Sequence, residues 1–279
     1  MKPGHWLGAG AVLALSLAGA ATGALLAASS LSEPAQHHKL SRVLDEISGL
    51  ATTADGRLLA HEDQNGLVFE LDSGSGKVTK SFTLGRELRG DFEGIASVDG
   101  DVYLVTSTGK LVRGREGAHG EEVEYEVFDT AVAERCLEVE GLGYDPKERQ
   151  LLLACKQARG GAHDVLLFRW SVDLQTLTEP VWRTLTKQTL RPPGGGGEFR
   201  PSGVARDPAS GHWLLLSGSP PAVAELTADG ELVGVRGLDK GRHRQPEGIT
   251  MARGTLWIAD EGAGKRARLS AYDIGDEAQ

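Results

Sequence analysis

Three glutamates in the same local setting are the first candidates for chemistry. Glu93, Glu140 and Glu247 each precede a glycine and a branched aliphatic residue, and Ser48 and Ser202 hold the same position in two further copies. If the fold brings these copies together, three carboxylates meet in a small space and raise one another's pKa unless a cation compensates them. Calcium suits a site of several carboxylates completed by hydroxyls, carbonyls and water. The sequence therefore predicts a calcium site formed by Glu93, Glu140 and Glu247.

Other polar side chains near these positions are expected to extend the site. Oxygen atoms of a second ring are expected from four acidic residues: Asp63, Asp91, Glu138 and Glu261. Two cations near the same rim, Lys156 and Arg200, either bind an anionic ligand or pair with these acids. The predicted ligand-binding set comprises Lys156, Arg200, Ser48, Ser202 and Glu261.

The repeated position also has an architectural interpretation. Repeat proteins reuse polar residues to join neighbouring units. In that case the glutamates accept backbone hydrogen bonds from the next unit and hold the assembly together. The serines at two of the five positions favour this alternative, and the glycines then serve close backbone approach.

Two classes of function follow from the predicted metal site. The first is a binding module that holds calcium and engages a small anionic ligand or a protein partner. The alternative is a metal-dependent hydrolase of phosphoesterase or lactonase type, in which the cation polarises the substrate and Asp63 or His61 acts as the base. A serine hydrolase is excluded, because Ser48 and Ser202 do not lie in a G-x-S-x-G turn between a strand and a helix.

A fivefold repeat must position these residues. The motif glycines, at positions 49, 94, 141, 203 and 248, are separated by 45, 47, 62 and 45 residues. A period near 45 residues is typical of a four-stranded propeller blade. In each copy the motif is followed by a tight turn rich in Asp, Gly and Pro and by further short apolar strands, which predicts an all-β chain.

The last copy ends after three strands, whereas the segment from Lys39 to Leu44 precedes the first copy at the place of a fourth strand. We therefore predict a single five-bladed β-propeller over residues 39–279, closed by an N-terminal strand that completes the last blade. The first strand of each blade lines the central channel, so the residue before each glycine lies at the channel mouth. We expect function at this mouth, since the turns on the opposite face are short.

The first 32 residues have a different composition. From Pro3 to Ser32 the chain has no Lys, Arg, Asp or Glu and is rich in Ala, Leu and Gly. Residues 1–32 are predicted to be a signal peptide or an N-terminal transmembrane anchor, and residues 33–38 a short linker. The propeller is then periplasmic or otherwise extracytoplasmic, anchored to the inner membrane by this segment or secreted after cleavage.

Charge and cysteine content set two further expectations. The chain has 30 Lys and Arg against 39 Asp and Glu, a formal charge of −9, which argues against a nucleic-acid partner. Cys136 and Cys155 fall in the same predicted blade, and export favours a disulfide between them. A reduced, buried pair is the alternative. Without clustered histidines, two cysteines do not make a zinc site.

Together the motifs resemble the SdiA-regulated family of exported or membrane-anchored bacterial β-propellers, over about residues 39–273. The resemblance implies a five-bladed propeller, an N-terminal membrane segment and a calcium site at the hub. The segments that carry it are Glu46 to Leu50, Asp91 to Ala96, Val139 to Pro146, Leu151 to Lys156, Pro201 to Val204, Gln245 to Ile249 and Leu256 to Glu261.

Overall fold

The computed structural model describes residues 1, 31, 33–161, 164–193 and 196–274. The predicted signal peptide or anchor therefore lies outside the described residues, except for Met1 and Leu31. No helix in the described part of the chain is long and apolar enough to cross a membrane.

The described residues form five sheets, one for each copy of the repeat, and the chain is an all-β, five-bladed propeller. The first blade comprises β2 (Ile47–Thr52), β3 (Leu58–Glu62), β4 (Leu67–Leu71) and β5 (Val78–Leu84), with β9 (Glu122–Val123) added in parallel. The second comprises β6 (Phe92–Val98), β7 (Asp101–Thr106), β8 (Lys110–Arg115) and β10 (Tyr125–Asp129). The third comprises β11 (Cys136–Asp145), β12 (Gln150–Ala158), β13 (Asp164–Ser171), β14 (Thr176–Leu177) and β15 (Arg183–Thr186). The fourth comprises β16 (Pro201–Arg206), β17 (Trp213–Gly218), β18 (Pro221–Leu226) and β19 (Leu232–Gly237). The fifth comprises β20 (Pro246–Ala252), β21 (Thr255–Asp260), β22 (Arg268–Asp273) and β1 (Gln36–Lys39). Short 3-10 helices occupy Arg42–Leu44, Val132–Glu134 and Arg159–Gly161.

The burial of each strand follows its place in the blade. Second strands are mainly apolar and buried, because neighbouring blades cover both of their faces; every residue of β3 is buried. Outermost strands are more polar, and in β10 four of the five residues are exposed. The innermost strands pack against one another in a closed circle, β2 on β6, β6 on β11, β11 on β16, β16 on β20 and β20 on β2.

The strand that closes the ring lies earlier in the chain than the sequence predicted. β1 (Gln36–Lys39) pairs antiparallel with β22, with His37 opposite Ser270. This strand falls in the segment expected to be a linker, and the predicted strand from Lys39 to Leu44 is wrong beyond its first residue. The physical reason is that Leu40 and Leu44 are fully buried in the core shared by the first and last blades. They anchor a turn that leads into β2 and are not part of a sheet edge.

The two cysteines join the start of the third blade to its second strand. Cys136 and Cys155 form a disulfide, with Cα atoms 5.9 Å apart. The bridge lies beside Lys156, whose side chain reaches into the candidate site described next.

Candidate functional site

A β-bulge in each innermost strand positions the repeated residue. The pairing register shifts at the motif in all five blades, between Ile47 and Gly49, Phe92 and Gly94, Val139 and Leu142, Pro201 and Gly203, and Pro246 and Gly248. A bulge leaves its extra residue unpaired and changes the direction of the side chain. The bulged positions are Ser48, Glu93, Glu140 with Gly141, Ser202 and Glu247. The fold therefore brings together the five residues that the sequence predicted to meet at the channel mouth.

The motif glycines let the innermost strands approach closely. A Cβ atom on Gly94 would lie 2.6 Å from the backbone nitrogen of Leu142, and one on Gly203 would lie 3.0 Å from the carbonyl oxygen of Glu247. The space left between the five motifs is about 10 Å³, which is roughly the room that one water molecule or one small ion requires. The hub is therefore a constriction surrounded by bulged side chains.

The serines and glutamates of this ring have different partners. The Ser202 hydroxyl donates to the carbonyl oxygen of Pro246 in the next blade at 2.6 Å, as the architectural interpretation expects. The Ser48 hydroxyl donates to the Glu93 carboxylate at 3.3 Å. No hydrogen-bond donor among the described residues reaches the Glu247 carboxylate. The ring is thus incompletely satisfied at its acidic positions.

Lys156 pairs with the acids. Its ammonium group donates to Glu140 at 2.6 Å and to Glu138 at 3.0 Å. Of the two alternatives for this residue, the structure shows the ion pair. Arg200 is exposed immediately before β16, and no ion pair is found for it within the described residues.

Burial and repulsion hold the hub carboxyls well above their ordinary pKa range. Burial, then the charges of Glu140 and Glu261, raise the pKa of Glu247 to about 8. Burial and Glu140 also raise the pKa of Glu93. Burial raises the pKa of Glu140 too, although the Lys156 ammonium opposes the shift. The hub therefore has too little positive charge for three ionised glutamates.

A second acidic group adjoins the hub. Burial and the Glu46 carboxyl raise the pKa of Glu261 to about 7, while Gln245 donates a hydrogen bond to it. Burial, followed by Glu62 and Glu46, raises the pKa of Asp63. Asp63 and Glu261 were predicted from the sequence, whereas Glu46 and Glu62 were not. A signal for Glu46 exists, because it lies two residues before a bulged position, as Asp91 and Glu138 do.

His61 does not join this group. Its side chain is fully buried, and burial lowers its pKa to about 4, so it is neutral at physiological pH. Nδ1 lies 3.0 Å from the Glu62 carbonyl oxygen, and Nε2 has no hydrogen-bond partner. A Cβ atom added to Gly49 would lie only 2.5 Å from Nε2, so the imidazole packs directly against this glycine. The ring fills the space under the first motif and has no solvent contact.

The carboxylate oxygens at the hub are the ligand type that a hard cation prefers, but their side chains lie too far apart to coordinate one ion directly. Across the described ranges, no three His, Cys, Asp or Glu side chains are grouped closely enough to hold a metal ion. Carboxylates around a water-sized gap still match calcium, which accepts water molecules between itself and its protein ligands. The calcium site therefore stays a prediction.

The raised pKa values predict that the metal-free protein loses stability as pH rises. An acid with a folded pKa above its unfolded pKa binds more protons in the native state between the two values, so the free energy of unfolding falls across that interval. For Glu247 the interval runs from about 4.5 to about 8. Urea unfolding in EDTA at pH 5, 6, 7 and 8 is expected to show this decline. A flat profile would contradict the repulsion at the hub.

Comparisons with solved structures support the fold. Glutaminyl cyclase from Myxococcus xanthus aligns with 15% identity over 86% of this chain and 94% of that chain, with a TM-score of 0.55. The PQQ-bound aldose sugar dehydrogenase from Streptomyces coelicolor aligns with 15% identity over 86% of this chain and 99% of that chain, with a TM-score of 0.52. At this identity the likeness shows the β-propeller architecture alone.

Sequence comparisons give one further result. No curated protein matches the chain. The model of the SdiA-regulated family matches residues 197–263, which contain two of the five motifs, those of Gly203 and Gly248. Over this segment the chain is similar to the SdiA-regulated family, in agreement with the resemblance drawn from the motifs.

Proposed function

We propose that this protein is an exported binding module, a β-propeller that binds calcium at its channel mouth and engages a ligand or partner there. The observation that carries the proposal is the Glu247 carboxylate. It is partly buried, faces the charges of Glu140, Glu93 and Glu261, and has no hydrogen-bond donor among the described residues. A divalent cation beside it would supply the positive charge that Lys156 alone does not.

Binding has more support than hydrolysis. A hydrolytic site needs a base that can reach a metal-activated water. His61 is fully buried and neutral, and its free nitrogen points at Gly49 and away from solvent. Asp63 lies in the second acidic group with Glu46, Glu62 and Glu261, which gives it an electrostatic role beside the metal.

The charge of the rim also defines the ligand. Because Lys156 is paired with Glu138 and Glu140, it is not available as an anion site. A small anionic ligand is expected to bind through the calcium ion itself, with the exposed Arg200 as a second contact. A protein partner is expected to present basic or hydroxyl groups to the acidic rim.

Export is supported by two independent features. The first 32 residues have the composition of a signal peptide or membrane anchor. The disulfide between Cys136 and Cys155 suits an oxidising compartment. Together they favour a periplasmic or other extracytoplasmic propeller, attached to the inner membrane or released after cleavage.

Calorimetric titration of the full chain tests the proposal. After removal of metal with EDTA, calcium is expected to bind one site per chain with a Kd of about 100 μM or lower and to raise the Tm. Magnesium, which prefers a tighter octahedral site, is expected to bind at least tenfold more weakly. If calcium produces no binding heat and no shift in Tm, the metal site is wrong. Calcium-dependent turnover of a phosphoester or lactone would favour the hydrolase.

A further inference from the structure

The end of the channel opposite the acidic mouth opens into a cavity of about 550 Å³. It is surrounded by the short turns that join the first and second strands of the blades. These turns contribute Asp55, Gly56, Asp99, Gly100, Pro146 and Pro208 to its rim. The volume lies in the range of small-molecule sites, which are typically 300–1,000 Å³.

The cavity has an apolar floor. Leu50, Ile95, Leu142 and Val204 follow the motif glycines and line both this cavity and the hub constriction. These aliphatic side chains therefore separate the cavity from the acidic mouth. A molecule in the cavity contacts hydrocarbon at its deepest point.

A second layer of side chains lies nearer the opening. Its members lie two positions beyond the aliphatic layer in each innermost strand, on the same face of that strand. This layer comprises Thr52, Ser97, Tyr144, Arg206 and Met251, all of which line the cavity. Thr52 shares a 2.8 Å hydrogen bond with Thr250. The Ser97 hydroxyl is partly buried and has no hydrogen-bond partner within the described residues.

The charged side chains that line the cavity are all ion-paired. This distinguishes the cavity from the mouth, where the glutamates exceed their counter-ions. The pairs are Arg57 with Asp55 at 2.8 Å and with Glu116 at 2.5 Å, Arg206 with Asp145 at 2.9 Å, and Asp99 with Arg149. A charged ligand would have to lose its hydration without meeting an uncompensated opposite charge, which is unfavourable.

From these features we infer that the cavity binds a neutral, largely apolar small molecule that carries a hydroxyl or carbonyl group. Its apolar body contacts the aliphatic floor, where burial supplies most of the affinity. Its polar group pairs with the Ser97 hydroxyl. This site shares no residue with the predicted calcium ligands, so it does not depend on the proposed function.

Two fluorescent probes with the same ring system test the selection for a neutral ligand. N-phenyl-1-naphthylamine is neutral, whereas 8-anilinonaphthalene-1-sulfonate adds one negative charge. Fluorescence titration of the full chain is expected to show one saturable site for the neutral probe and at least tenfold weaker binding of the sulfonate. Equal affinity for both probes, or no saturable site for the neutral probe, would overturn the inference.

Variants locate the probe. Ser97→Trp places a large side chain in the cavity and is expected to abolish the saturable site. Ser73→Trp, at an exposed turn position away from the cavity, is expected to leave it unchanged. A Ser97→Trp protein that is folded and still binds the neutral probe as wild type does would contradict the assignment.

A measurement on the unmodified protein decides the case if Ser97→Trp does not fold. Crystals of the full chain soaked with 1-bromonaphthalene are expected to show an anomalous bromine peak above Leu50 and Ile95. A peak elsewhere, or no peak at all, would refute the cavity as the site.

Discussion

Glu247→Gln is expected to weaken calcium binding by about 100-fold and, in EDTA at pH 8.5, to raise the free energy of unfolding by about 2–4 kcal/mol. The two effects have one cause. The carboxylate supplies charge to a bound cation, and without the cation it is ionised beside Glu140 and Glu261, where burial and repulsion disfavour it. Glutamine keeps the shape and removes the charge.

Calorimetry with calcium and urea unfolding in EDTA measure the two effects separately. Glu124→Gln is the matched control, because Glu124 is exposed between β9 and β10, at the outer edge of the propeller and away from the hub. The control is expected to match wild type in both measurements. If Glu247→Gln raises stability but leaves calcium affinity unchanged, the repulsion is real and the metal site is wrong.

Gly141→Ala is expected to lower the free energy of unfolding by about 3–5 kcal/mol. Gly141 has a φ angle of 103°, which L side chains rarely adopt. A Cβ atom there would also lie 2.9 Å from the backbone carbon and Cα of Gly203 in the next blade. The alanine therefore strains its own backbone and pushes two blades apart at the hub.

Gly120→Ala separates these two contributions. Gly120 has a comparable φ angle of 77°, but nothing lies within 4 Å of the added Cβ. Gly120→Ala is expected to lower the free energy of unfolding by about 1 kcal/mol, from backbone strain alone. Urea unfolding of both variants gives the comparison. Equal losses would mean that contact between blades at the hub contributes nothing.

Most of the fold was predictable from the sequence repeat. Gly49, Gly94, Gly203 and their equivalents recur because the hub leaves no room for a side chain, so their spacing reports the number of blades. The closing strand was misplaced for a related reason. The segment from Lys39 to Leu44 precedes the first motif at the place of a fourth strand, but Leu40 and Leu44 are buried in the core and not paired at an edge.

The sequence predicted where the site residues lie in the fold, but not their contacts. The residue before each glycine was expected at the mouth, and the bulges place it there. The sequence left two roles open for Lys156, because pairing depends on the distance between strands β11 and β12 at Glu140. Burial of His61 was also not apparent, since a polar residue after two leucines and an alanine looks like the start of a loop.

The cavity on the opposite face was not predicted at all. Turn lengths describe the loops, and they do not report the space that remains between five strands as they splay apart. Small side chains such as Thr52 and Ser97 leave room there beside the larger Tyr144, Arg206 and Met251. Their size has no meaning until the strands are known to face one another.

The position of β1 at the N-terminal edge of the fifth blade has a mechanical consequence. β1 is a four-residue edge strand held to β22, with Ala35 donating to the Ala271 carbonyl oxygen at 2.7 Å and Glu33 paired with Arg242 at 2.7 Å. A pulling force applied from the N-terminal side therefore acts on the pairing of β1 with β22 before it acts on any other strand. Pulling β1 away would open the fifth blade at its rim while leaving the hub intact. The strand pair that closes the propeller is therefore also the first pair to separate under force.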